Sequence, residues 1–200
     1  MITIVVARYN ENVEWVNSFK NENVNDNDNL NVIVYNKGEK LEYNTCNEIQ
    51  LNNVGREGHT YYKHICDNYD NLTDYTVFLQ GNPFDHSPNL IDNLHKYIHH
   101  PELNIDFEYL SESIHYSSLD AECSMYWACA NIHSTYERIF GMPCPMQDIM
   151  FGCGAQFIVS KTKILQRPKL FYENIVKILE YSISPIEGYD LERFHKYIFL

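Results

Sequence analysis

Ile2-Thr3-Ile4-Val5-Val6-Ala7-Arg8-Tyr9-Asn10-Glu11 decides the fold class. An apolar, β-branched run this continuous reads as a strand covered on both faces, as in a parallel sheet with helices on either side. It breaks at the polar corner Tyr9-Asn10-Glu11. In open α/β sheets ligands bind beyond the carboxyl ends of the strands, so Ala7, Arg8, Tyr9, Asn10 and Glu11 stand at a candidate site. A generic α/β protein with a polar first turn would carry the same residues, and the later segments have to separate the two readings.

Working outward, Val32-Ile33-Val34-Tyr35 is a second buried strand, running into the turn Asn36-Lys37-Gly38. Tyr75 to Gln80 is a third, broken by Gly81-Asn82-Pro83. Val13, Trp15, Val16 and Phe19 place a short helix after the first strand, and Tyr61, Tyr62, Ile65, Cys66 and Tyr69 recur at helical spacing before the third. Ser87-Pro88 predicts a helix start, with the hydroxyl as N-cap and proline at the first helical position. Met125 to Phe140 reads as helical, with Trp127, Ala128, Ile132, Tyr136 and Ile139 buried; Gly152 to Val159 reads as a glycine-led strand followed by a helix after Ser160. Two helices, 168–181 and 189–199, close the chain. The asparagine-rich stretch 21–31 reads as a solvated loop, and Leu103 to Asp120 shows no assignable period. This order predicts a single α/β domain over residues 1–200, with a mainly parallel central sheet flanked by helices. Ile4, Val6, Val32, Val34, Val77, Leu79, Phe157 and Val159 are its expected core.

Fifteen basic against twenty-seven acidic residues give a net charge of −12, which argues against a broad nucleic-acid footprint or an anionic membrane surface. A nucleotide needs only a local positive pocket, for which Arg8, Lys37, Arg56 and Lys63 are the candidates. The six cysteines show no CxxC pair or zinc-finger spacing. No segment has the length of a membrane span, and the N terminus lacks a basic region and cleavage site, so a cytoplasmic, reducing setting is expected.

The densest polar cluster is Asn53-Val54-Gly55-Arg56-Glu57-Gly58-His59-Thr60-Tyr61-Tyr62-Lys63-His64. It lies at a loop-to-helix junction, where backbone N–H groups and the helix dipole favour an anion. Gly55 allows close backbone approach, Arg56 offers a bidentate phosphate donor, and His59 shares a helix face with Lys63. A well-capped helix with Arg56 and Glu57 in surface pairs is the plain structural alternative.

Val5 to Glu11, Tyr35 to Gly38, Asn53 to Tyr61, Phe78 to His86, Gly154 to Phe157 and Leu191 to Phe194 together resemble a domain-of-unknown-function family of fungi, algae and large DNA viruses. Its layout is similar to GT-A fold glycosyltransferases, which use nucleotide-diphosphate sugars. The resemblance implies transfer of a sugar, from a UDP-sugar by preference, to a glycan or protein hydroxyl. Ala7 to Glu11 and Asn36 would contact the nucleoside, Gly55, Arg56 and His59 the diphosphate, and Gln80, Gly81 and Asn82 the sugar. Arg56 would act in catalysis, and Asp148, just before the glycine-led strand, would be the general base. GT-A enzymes hold Mn²⁺ or Mg²⁺ through an Asp-X-Asp motif; Gln80-Gly81-Asn82 stands in that place and supplies no anionic ligand. Asp85 and His86 would substitute as an oxygen–nitrogen pair, or Asp85 is simply a turn residue. Two further readings stay open: a non-catalytic relative that binds glycans or a protein, and a metal-dependent hydrolase using His59, His64, Asp85 and His86.

Overall fold

The computed structural model describes residues 1–23, 29–42, 46–99, 103–118, 132–146 and 148–200. Strands β1 (Ile2–Arg8), β2 (Leu30–Asn36), β3 (Asn47–Gln50), β4 (Tyr75–Gln80), β5 (Phe107–Tyr109) and β8 (Phe157–Ser160) form one six-stranded sheet in the order β3-β2-β1-β4-β8-β5. The pairings among β3, β2, β1 and β4 are parallel, whereas β8 runs antiparallel to both β4 and β5. Strands β6 (Ile114–Ser118) and β7 (Asp148–Gly152) make a separate antiparallel pair.

The sheet is covered on both faces, as its uninterrupted apolar strands require. Along β1, Ile4 and Val6 enter one core with Val32, Val34, Val77, Leu79 and Ile158. Helices α1 (Glu14–Glu22) and α3 (Leu90–His99) close that side through Val16, Phe19, Leu90 and Leu94. Val5 and Ala7 face the opposite core with Tyr35, Phe78, Phe157 and Val159. There the cover is α2 (Arg56–Asn68), α4 (Ile132–Phe140), α6 (Lys169–Leu179) and α7 (Ile186–Phe199), through residues such as Tyr61, Tyr136, Tyr172 and Phe194. Phe157 is the hub of this side: its ring lies 5.1 Å from Phe78, 5.2 Å from Phe107 and 5.6 Å from Phe199. Truncation of such a fully buried ring to alanine costs about 3–5 kcal/mol. All eight expected core residues are buried.

Several local expectations are corrected. Helix α3 begins at Leu90, not at Pro88, because the Ser87 hydroxyl donates to the Leu110 carbonyl at 2.8 Å instead of capping the helix. The stretch 152–159 is not one strand: Gly154 (φ +82°) and Ala155 (φ +52°) adopt consecutive left-handed conformations that end β7 and turn the chain before β8. Ser160 does cap the following short helix, α5 (Lys161–Ile164), by accepting from the Lys163 N–H. The closing helix starts at Ile186, three residues early, behind Pro185. Strand β3 and the β6–β7 pair were not anticipated. Of the helix expected over Met125 to Phe140, the part from Ile132 is present as α4; Met125, Trp127 and Ala128 lie outside the described residues. Among the described residues, no helix is long and apolar enough to cross a membrane.

Candidate functional site

At the carboxyl edge of β1, β2 and β4 lies an open cavity of about 540 Å³. Register explains why residues remote in sequence meet there: Ala7 lies beside Gln80 across β1–β4, and Arg8 beside Asn36 across β1–β2. The strand ends contribute Ala7, Arg8, Tyr9, Glu11 and Lys37; the β4 turn adds Gln80, Asn82 and Asp85. Asn53, Arg56 and Glu57 come from the start of α2, and Ile183 and Ser184 from the α6–α7 connection.

Three cations face this cavity, each fixed differently. Arg8 donates Nε to the Glu11 carbonyl (3.0 Å) and Nη1 to Asn36 Oδ1 (2.7 Å) and the Glu39 carbonyl (3.0 Å). The buried Lys37 ammonium donates to the Val54 carbonyl at 2.6 Å and to the Arg56 carbonyl. Burial, only partly opposed by Glu57, pushes its pKa down to about 8. Arg56 stacks its guanidinium on the Tyr189 ring, 4.0 Å from the centroid. Its buried Nε has no hydrogen-bond partner, and Glu57 Oε2 is 3.6 Å away. A buried donor left unpaired is one that a ligand oxygen can satisfy. The backbone of Arg56 is left-handed (φ +51°), next to a left-handed Gly55 (φ +66°). A Cβ on Gly55 would come within 2.5 Å of His59 Cβ, so the chain can enter α2 this way only with glycine there.

The expected anion site at the helix start is altered. The Gly55 and Arg56 N–H groups donate to the carbonyls of Ser182 (2.8 Å) and Ile183 (3.3 Å), so the α6–α7 connection takes up part of what an anion would use. His59 is buried, and burial together with Lys37 and Lys63 lowers its pKa to about 4. Lys63 lies away from the cavity and pairs with Asp67 at 2.5 Å. Asn36 is wholly buried; besides accepting from Arg8, it donates to Glu48 Oε1 at 2.6 Å. It therefore positions Arg8 from beneath and does not line the cavity. Asn10 lines a separate open cavity, also of about 540 Å³, with Arg8 and Glu11. Gly81 presents its bare Cα to Glu11: a Cβ there would lie 2.9 Å from Glu11 Oε2.

A second, smaller chamber of about 230 Å³ adjoins the first, with Arg56 and Gln80 lining both. Its other walls include His86, Cys153, Glu192 and Arg193. Glu192 Oε1 accepts the Gly154 N–H at 2.6 Å, and burial, reinforced by Glu57, raises its carboxyl above the usual glutamate range. Asp148 is exposed at the start of β7 and lines neither cavity. Sequence proximity to Gly152 suggested it, but β7 belongs to the smaller sheet. Tyr189 and Glu192 went unassigned as site residues because nothing in the sequence of the last helix shows which of its residues meet α2.

With this geometry in place, residues 4–200 match the model of the family described as Protein of unknown function (DUF3431). The chain belongs to that family. No curated protein and no solved structure matches it.

The donor set does not suit the divalent metal that the GT-A resemblance implies. Asp85 faces the larger cavity and His86 the smaller one, so the two do not present a joint oxygen–nitrogen pair. Asp85 Oδ2 also accepts from Asn82 Nδ2 at 3.2 Å. Among the described residues, no three His, Cys, Asp or Glu side chains are placed to hold a metal ion. The convergence of His59, His64, Asp85 and His86 that a hydrolase would need is absent for the same reason: His64 is buried, with Nδ1 3.0 Å from the Tyr35 hydroxyl.

Proposed function

We propose that this chain is a glycosyltransferase moving a sugar from a nucleotide-diphosphate donor, a UDP-sugar by preference, to a glycan or protein hydroxyl. The observation that carries the reading is the gathering of Arg8, Lys37 and Arg56 on one cavity at the carboxyl edge of parallel strands. A diphosphate leaving group gains negative charge as the sugar departs, and fixed cations in a partly desolvated site stabilise that charge. They do so here without relying on a metal centre. Tyr9, about half exposed on the cavity rim, offers a ring for base stacking. Gln80 and Asn82, which supply hydrogen-bonding amides, line the same cavity, Gln80 reaching the second chamber as well, and suit a sugar's hydroxyls.

Isothermal calorimetry with UDP, UDP-glucose, UDP-N-acetylglucosamine and GDP, in Mn²⁺ and in EDTA, tests this. The expected result is uridine-nucleotide binding that survives EDTA. No nucleotide binding in either condition overturns the proposal. The amide pair Gln80 and Asn82, where GT-A enzymes carry acids, favours a second reading, a non-catalytic relative. Nucleotide binding with no release of UDP from any sugar donor would be its result.

A further inference from the structure

We propose that the second chamber receives the acceptor and that Glu192 is the catalytic base that takes the proton from its hydroxyl. This rests on the glycosyltransferase reading above. The two cavities share a wall at Arg56 and Gln80, so a group in the smaller chamber faces a sugar held in the larger one. Arg56 lines both cavities, and Glu192 lines the smaller one beside it. Its carboxylate is oriented, since Oε1 is held by the Gly154 N–H at 2.6 Å. That N–H is aimed by the left-handed pair Gly154–Ala155, and Gly154 itself is packed under His86, where a Cβ would lie 2.5 Å from His86 Cδ2. Glu192 is also a better proton acceptor than a surface glutamate, because burial and Glu57 outweigh the opposing Gly154 N–H, Arg193 and Arg56. The remaining proton acceptor of the wall is His86.

The step balances without a further reactant. The acceptor oxygen bonds to the anomeric carbon as the bond from that carbon to the β-phosphate oxygen breaks. The acceptor proton passes to Glu192, and the electron pair leaves with the nucleoside diphosphate, facing Arg56.

UDP release from UDP-glucose, UDP-galactose and UDP-N-acetylglucosamine, with water and methyl glycosides as acceptors, is measured beside UDP affinity. Glu192→Gln is expected to lower turnover by about 100-fold or more while leaving UDP affinity unchanged. Azide, a nucleophile with no proton to lose, should restore UDP release in Glu192→Ala and yield the glycosyl azide. Glu192→Asp should keep part of the rate. In the unmodified protein, kcat/KM should rise with pH along a limb that Glu192→Gln lacks. Full activity in Glu192→Gln, loss of turnover in His86→Gln alone, or failure of azide to rescue overturns the assignment, as does loss of UDP affinity in Glu192→Gln. UDP binding without UDP release by the unmodified protein overturns the transferase, and the base with it, in favour of the non-catalytic relative. Absence of nucleotide binding overturns the glycosyltransferase reading itself.

Discussion

The guanidinium of Arg56 lies over the ring of Tyr189, with 4.0 Å from carbon to centroid, which ties the start of α2 to the first turn of α7. Gly188 makes this possible: a Cβ at that position would come 3.1 Å from Arg56 Cδ. A partly desolvated stack of this kind contributes about 1–2 kcal/mol and fixes the direction of the guanidinium fork.

If the fork meets the diphosphate as the sugar leaves, its contacts strengthen in the transition state. Arg56→Ala should then lower turnover by roughly two to three orders of magnitude, with a smaller change in UDP affinity. Arg56→Lys should recover only part of the loss, because an ammonium keeps the charge but not the fork. Steady-state kinetics decide it, and full activity in Arg56→Ala would remove Arg56 from the site.

The left-handed backbone at Arg56 makes a separate claim on stability. Arg56→Gly and Arg56→Ala lose the same stack, but alanine keeps a Cβ in a region that disfavours it by about 1–2 kcal/mol. Urea unfolding should therefore find the glycine variant the more stable of the two by about 1 kcal/mol, once glycine's greater freedom in the unfolded chain is subtracted. Equal stabilities would mean that the backbone relaxes when the side chain is removed.

Lys37 has a pH signature. Its pKa is about 8 in the folded protein against 10.5 ordinarily. Between those values the unfolded chain binds more protons, so stability rises with pH across that window, and the cost of the buried charge is fully present below it. Thermal melts should show this rise, and Lys37→Met should flatten it. UDP affinity should move the opposite way, falling roughly tenfold or more as the ammonium loses its proton, since a charge-assisted contact is lost. Affinity that is flat over the same window would place Lys37 outside the phosphate site.

Three buried histidines carry the acid limb of stability. Burial first, joined at His59 by Lys37 and Lys63, lowers His59 and His64 to about 4 and His195 to about 3, from 6.5. The unfolded chain therefore takes up more protons from pH 6.5 downward, and stability falls as pH drops through that range. Asp190, raised by burial to about 6, and Glu192, raised by burial and Glu57, work in the opposite direction, but with two protons against three. Histidine NMR should find these imidazoles neutral between about pH 5 and 8. Ordinary titration of His195, whose Nδ1 lies 2.8 Å from the Tyr62 hydroxyl, would contradict its burial.

Strands β1, β2 and β4 could be read from sequence because a strand covered on both faces leaves an unbroken apolar run. The same reading placed Arg8 and Glu11 at the cavity, since strand ends in such sheets converge there, but also Asn10, which lines a neighbouring one. The β6–β7 pair was harder to read: Tyr116 on β6 is 78% exposed, and β7, only five residues long, enters the core through Ile149 and Phe151. The chamber beside Glu192 was hidden for a different reason. Its walls come from the turn at Gly154, the turn at His86 and the last helix, which meet only through tertiary packing. Within the helix, Arg193 is buried, with its guanidinium carbon 4.9 Å from the centroid of the Phe151 ring.

The α6–α7 connection holds the first N–H groups of α2, and Tyr189 and Glu192 complete the walls around Arg56. A polypeptide emerging from the ribosome would thus have synthesised every strand of the sheet while its binding site was still unfinished. The cavity walls stay incomplete until α7 has emerged and docked. A protease nick near Ser182 or Ile183 would cut the connection that holds the start of α2.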